Sequence, residues 1–335
     1  MKKIALLSLM IGFVLNVPMA AHAFKLVILT NQPGQAKALE VQTFMKSLAP
    51  FRYMQPSELE IDIESIDIAR EGISCAPLKV KYDKVQLQSL QAWSDANHVN
   101  LTKADMKKYK KGYEITRNVD CDRSALARIG ARFGADQSMF ILDHEGSGGS
   151  GGDVPILYSG SLKMVAVHEL LHTFGMADEY SYSREEAPAF CAKSTWTNVA
   201  IFEDRPPYAG NADAVARHGL QIQWLPTLGS KPDLTTGTNL GTAYYGHLGL
   251  YPAKTCSAIS MKSWKATPFP SIMESLASGW IPKSMWPPIL TGMRTPAARQ
   301  AALMRKAEDS TKNCYLLPFG ATANGGIATA PQPTN

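Results

Sequence analysis

The sequence predicts an α+β fold: a mixed, twisted sheet with covering helices in its N-terminal part, and an irregular, loop-rich C-terminal part that ends in helices. Three observations predict it. Short apolar runs rich in β-branched residues alternate with helix-period stretches between residues 25 and 144. Prolines then punctuate residues 188–252, where long periodic segments are lacking. Between these parts lies an apolar stretch, residues 161–180 (SLKMVAVHELLHTFGMADEY), that carries two histidines and three carboxylates.

Met1-Lys2-Lys3 is a basic start, residues 4–15 are a short apolar run, and Ala21-His22-Ala23 is an A-x-A cleavage site, together a Sec-type signal peptide over residues 1–23. The mature chain is expected to begin near Phe24 and to be exported, either to the periplasm or outside the cell. The run is too short to span a bilayer, and no later segment approaches about 18 unbroken apolar residues, so stable membrane insertion is not expected. The formal charge is +5, and removing Lys2 and Lys3 leaves +3, too mild to argue for a nucleic-acid partner.

Residues 25–30 (KLVILT) read as a buried strand closed by the turn residues Asn31-Gln32-Pro33-Gly34. Ala38, Leu39, Val41, Phe44, Met45 and Leu48 share one face of a helix over 35–51, which Pro50 breaks. Residues 59–68 alternate apolar and acidic as a half-exposed strand does. Strand, helix and strand in this order imply a crossover and a partly parallel sheet. The pattern weakens over 69–120, which reads as an insertion with one or two helices. Its basic run, residues 103–111 (KADMKKYKK), reads as a solvated helix face. A helix over 122–133 and a buried strand over 139–144 follow. Residues 146–152 (GSGGSGG) have a linker's composition but lie between a sheet strand and the histidine stretch. There they are expected to line a substrate site with accessible backbone. Further helices are expected over 271–281 and 296–309, and residues 320–335 read as a disordered tail.

Five cysteines, Cys75, Cys121, Cys191, Cys256 and Cys314, form no CxxC pair, so up to two disulfides and a leftover thiol are expected in an oxidising compartment. A Cys75–Cys121 bridge would staple the ends of the insertion, contributing about 3–4 kcal/mol in the chain-entropy account.

The chemistry lies in His168-Glu169-Leu170-Leu171-His172, an HExxH string. Helical spacing i, i+4 puts both imidazoles on one face, where they can reach one metal ion. Glu169 stands beside them, placed to take a proton from a zinc-bound water whose pKa the ion lowers to about 7. Gly175 suits a left-handed helix C-cap, and the turn it makes swings Asp178 back as third ligand, leaving a fourth position open for water. Glu179 competes with Asp178 for that place. Tyr180 is a candidate to hydrogen-bond a ligand or to polarise a substrate carbonyl.

HExxHxxGxxD, here HELLHTFGMAD, resembles the metzincin zinc metallopeptidases. The wider GSGGSGG…HELLHTFGMADEY resembles their IgA-peptidase branch, with weaker agreement at Asn198-Val199, at residues 249–252 and at residues 259–263. The resemblance implies a two-lobed peptidase holding one catalytic Zn2+. Its catalytic domain would span 24–319, with an upper lobe over about 24–175, a lower lobe over about 176–319, and a cleft between them. It also implies a methionine turn under the metal: Met261 in SMKS matches the branch better, and Met273 in SIMES is the alternative. Asp178 stands where the commoner pattern has histidine, and immunoglobulin specificity is not carried over. The expected function is therefore an exported zinc endopeptidase, a monomer acting on protein or peptide substrates. Its rivals are a non-catalytic zinc-containing surface or binding protein and a zinc amidase acting on cell-wall material.

Overall fold

A computed structural model describes residues 23–31, 34–144, 146–193, 196–228, 234–235, 237, 239–240 and 248–311. Residues 1–22 of the expected signal peptide (1–23), Cys314 and the expected tail over 320–335 lie outside the described residues.

In chain order the main elements are β1 (Phe24–Thr30), α1 (Gln35–Ser47), β2 (Leu59–Ser65), β3 (Cys75–Val80), α2 (Lys84–Ala96), α3 (Lys103–Lys111), β4 (Tyr113–Cys121), α4 (Arg123–Arg132), β5 (Gln137–Leu142), β6 (Gly149–Ser150) and β7 (Ile156–Tyr158). They continue with α5 (Lys163–Thr173), α6 (Ala187–Cys191), β8 (Val199–Ile201), α7 (Asn211–His218), β9 (Tyr251–Ala253), β10 (Ser263–Lys265), α8 (Trp286–Gly292) and α9 (Ala297–Thr311). The fold is thus a mixture of helices and several sheets.

The main sheet has the order β2-β1-β5-β7-β6, parallel except for the antiparallel edge strand β6. Both faces are covered, which is why β1 and β5 are continuous apolar runs rather than alternating ones. Leu26 and Ile28 of β1, with Met139 and Ile141 of β5, pack against Val41 and Met45 of α1, Val167 and Leu170 of α5, and Ile289 of α8. Val27, Leu29 and Phe140 point to the opposite face, onto Leu126 and Ile129 of α4. Burying such side chains contributes about 1.5–3 kcal/mol each.

The insertion is larger in structure than its weak pattern implies. Besides two helices, each opened by a capping box (Asp83 with Gln86, Thr102 with Asp105), it contains the antiparallel pair β3–β4. A Cys75–Cys121 disulfide closes its base, and a second bridge, Cys191–Cys256, ties α6 to the segment after β9. Two disulfides mark an oxidising, exported environment. No helix among the described residues is long and apolar enough to cross a membrane.

One expectation is corrected. The stretch 271–281 is not a helix but a series of turns with one 3-10 turn at Leu276–Ser278. Its backbone is claimed by distant partners: Ile272 O accepts from His168, Met273 O from the amide of Glu179, and Ile272 N donates to Trp280 O. Within the glycine run, Gly149–Ser150 pair with β7 as the sheet edge.

Candidate metal centre

Helix α5 carries the histidines, and Val165 to Leu171 are all buried. Its end is a Schellman motif: the Gly175 amide donates to His172 O (3.0 Å) and the Met176 amide to Leu171 O (3.4 Å), with Gly175 at φ +82°. A side chain at 175 would be strained there, and its Cβ would stand 3.3 Å from Thr197 Cγ2. This reversal carries the next three residues back across the face of the helix.

Asp178 arrives between the two rings. Its Oδ1 lies 2.7 Å from His168 Nε2 and 3.5 Å from His172 Nε2, and ligand atoms of the three residues all fall within 4.8 Å of one another. Each ring has its Nδ1 against a backbone carbonyl, His168 donating to Ile272 O (3.0 Å) and His172 to Met176 O (2.8 Å). Both Nε2 lone pairs therefore point inward at a carboxylate oxygen that is itself buried without a hydrogen-bond donor. Three converging lone pairs in a dry site repel unless a positive charge sits among them. Burial disfavours charge on all three groups, yet the opposite charges prevail: His172 is pushed up to about 9, His168 is also raised, and Asp178 falls well below the usual carboxylate range. A metal ion would answer the same demand by displacing protons.

Glu169 is buried, with Oε2 3.8 Å from His172 Nε2. Burial raises its carboxyl above the ordinary value, against the pull of both imidazoles. The edge strand is moulded onto these side chains: a Cβ on Gly149 would meet Glu169 Cγ at 2.9 Å, and one on Gly151 would meet the His172 ring at 2.7 Å.

The neighbouring carboxylate goes elsewhere. Glu179 accepts from Ser271 Oγ (2.8 Å) and Asn198 Nδ2 (3.1 Å) and lies 3.9 Å from Lys265 Nζ, which also pairs with Glu274. Burial nevertheless pushes it up to about 7. The geometry thus brings Asp178, not Glu179, to the histidines. The Tyr180 ring stacks on His168 at 6.1 Å between centroids, within the same cavity. Of the two methionine-turn candidates, Met261 is half-buried with Cys256 and Ile259, and Met273 is fully buried in the cluster that holds the buried face of α5.

Some positioning residues carried no sequence signal. Tyr182 OH accepts from the Asp178 amide (3.3 Å), Thr255 Oγ1 donates to Asp178 O (2.7 Å), and the Asn198 carboxamide pairs with both the N–H and C=O of Ala177. Of these, Asn198 alone lies in a stretch where the family resemblance extends.

The cluster opens onto a cavity of about 740 Å³, lined by Gly148 to Gly152, by residues from α5 to Trp196, and by the β3–β4 pair. Compared with protein-family models and with curated proteins, the chain matches none.

Proposed function

We propose that this chain is an exported, zinc-dependent endopeptidase of the metzincin kind, with His168, His172 and Asp178 as metal ligands and Glu169 as proton carrier. One observation carries the reading: a buried Asp178 oxygen without a hydrogen-bond partner and the ring nitrogens of His168 and His172 converge, beside the buried carboxylate of Glu169, on the wall of a cavity. Two imidazoles and one carboxylate are a donor set zinc accepts, and three protein ligands rather than four are the pattern of catalytic sites. Zinc bound there supplies Lewis acidity, lowering the pKa of a water molecule and polarising a substrate carbonyl.

The chain's own residues do the rest. Ile272 O and Met176 O hold the two rings in the Nδ1–H tautomer, so that both Nε2 atoms stay available as ligands. Glu169, raised by burial, takes a proton from the attacking water and returns it to the departing amine nitrogen, for which a carboxyl poised nearer neutrality is suited. The edge strand at Gly149–Ser150 offers backbone groups beside the site, and Tyr180 presents its ring to the same cavity. The signal peptide over 1–23 and the two disulfides support export, and a peptide substrate follows from the reaction class.

The test is metal content of the mature protein, wild type beside D178A and E179A, with casein hydrolysis followed on the same samples. One zinc per chain, lost in D178A and retained in E179A, with cleavage abolished by a chelator, is the expected result. Zinc retained in D178A would overturn the ligand assignment, and full cleavage in metal-free protein would overturn the mechanism.

A further inference from the structure

The strand pair β3–β4, a hairpin only in the loose sense because α2 and α3 lie between its strands, belongs to the insertion, yet it forms one wall of the cavity onto which His168, His172 and Asp178 open. Its register pairs Leu78 with Ile115 and Val80 with Tyr113. Partners directly opposite in an antiparallel pair share a face, as do residues two apart on one strand, so these four side chains form one apolar patch. All four line the cavity and are half-buried. The intervening pair, Lys79 and Glu114, shares the other face, where both are exposed and joined by an ion pair at 3.2 Å. The hairpin therefore alternates as a strand pair does between a core and water, except that its apolar face meets a cavity. Phe190 and Trp196 add aromatic surface to the same cavity.

The wall is preformed. Cys75–Cys121 closes its base. Beyond it, Lys108 Nζ pairs with Glu185 (2.8 Å), and Tyr113 OH donates to Glu185 O (3.1 Å). Ordering it on binding therefore costs little.

Resting on the metallopeptidase reading, we propose that the hairpin wall of Leu78, Val80, Tyr113 and Ile115 determines specificity, selecting substrates that place a bulky apolar side chain in the cavity. Against such an apolar wall a single methylene is worth about 10–200-fold, and a charged side chain pressed onto it without a partner adds a desolvation cost.

The probes are N-acyl amino-acid hydroxamates carrying phenylalanine, leucine, lysine or glutamate side chains, titrated calorimetrically into the zinc-loaded mature protein. The phenylalanine and leucine forms should bind at least about 10-fold tighter than the lysine and glutamate forms. Ile115→Arg should weaken the phenylalanine form about 10-fold and strengthen the glutamate form about 3–10-fold, at unchanged zinc content. A gain of binding cannot come from misfolding. Lys79→Ala, on the outward face, should leave the ranking as it was. Equal binding of all four forms by the wild type, or a ranking untouched by Ile115→Arg, would overturn the proposal alone. Absence of stoichiometric zinc, or of any hydroxamate binding, would overturn the metallopeptidase reading and this proposal with it.

Discussion

The segment 176–179 and the arm 75–121 border the same cavity but are held by different means. Along the segment, successive backbone groups meet fixed partners: Asn198 on Ala177, Tyr182 and Thr255 on Asp178, Met273 O and the Lys254 amide on Glu179. The arm is held by a disulfide, by polar contacts to residues 184–185, and by an apolar cluster around Tyr109 and Tyr182. The difference follows from what each must place. A metal ligand has to sit within about 0.5 Å of its working position, which needs directional hydrogen bonds. An apolar wall needs only the right surface, which packing and a covalent closure provide.

The largest expected effect lies outside that contrast and isolates the chemistry. E169Q should keep its zinc and lose about 10²–10⁴-fold in turnover, measured by metal analysis beside peptide cleavage, because it removes the proton carrier and leaves both regions in place. Full activity in E169Q would exclude Glu169 from that role. Breaking the arm's closure comes next. Cys75→Ser with Cys121→Ser should cost about 3–4 kcal/mol in denaturant unfolding and flatten the preference for apolar hydroxamates, while zinc content stays at one per chain. N198A should do the reverse, lowering zinc affinity about 10–100-fold through loss of its grip on Ala177, with the hydroxamate ranking intact. If either variant produced the other's phenotype, the two regions would not be separable.

The smallest effect concerns neither region and serves as a reference. Arg299 of α9 forks onto Glu58 ahead of β2, with Nη2–Oε2 at 2.9 Å, and this holds the carboxyl of Glu58 below its ordinary value near 4.5. A depressed carboxyl stabilises the fold above its unfolded pKa, and that stability is lost as pH falls through the folded value. E58Q should therefore cost about 1 kcal/mol at pH 7, the cost shrinking below about pH 4.5, with zinc affinity and hydroxamate ranking both unmoved.

The parts legible in the sequence are those set by local rules. His168, Glu169 and His172 follow from helical periodicity, Gly175 from the left-handed cap it occupies, and Asp178 from the turn that cap produces. The strands β1 and β5 were legible because burial on both faces leaves continuous apolar runs. The illegible parts depend on partners far along the chain. Residues 271–281 have helical composition, but His168 and Glu179, about a hundred residues earlier, claim the carbonyls of Ile272 and Met273. For the same reason the packing of Met273 with the buried face of α5 carries no local signal, and resemblance alone favoured Met261. The hairpin escaped because β3 and β4 pair across the two helices between them, and Cys191–Cys256 because nothing local links its ends.

The base of the insertion has one more consequence. Cys75 and Cys121 lie 46 residues apart in sequence, yet their Cα atoms are 4.1 Å apart, so the polypeptide departs from the main body and rejoins it at a single point. A segment mounted in this way is a cassette. Its covalent ends are fixed at one place, while its packing against Tyr182 and its contacts to residues 184–185 set how it faces the HExxH helix. On the proposed reading, selectivity and chemistry would be carried on separate parts of the chain, able to diverge at different rates.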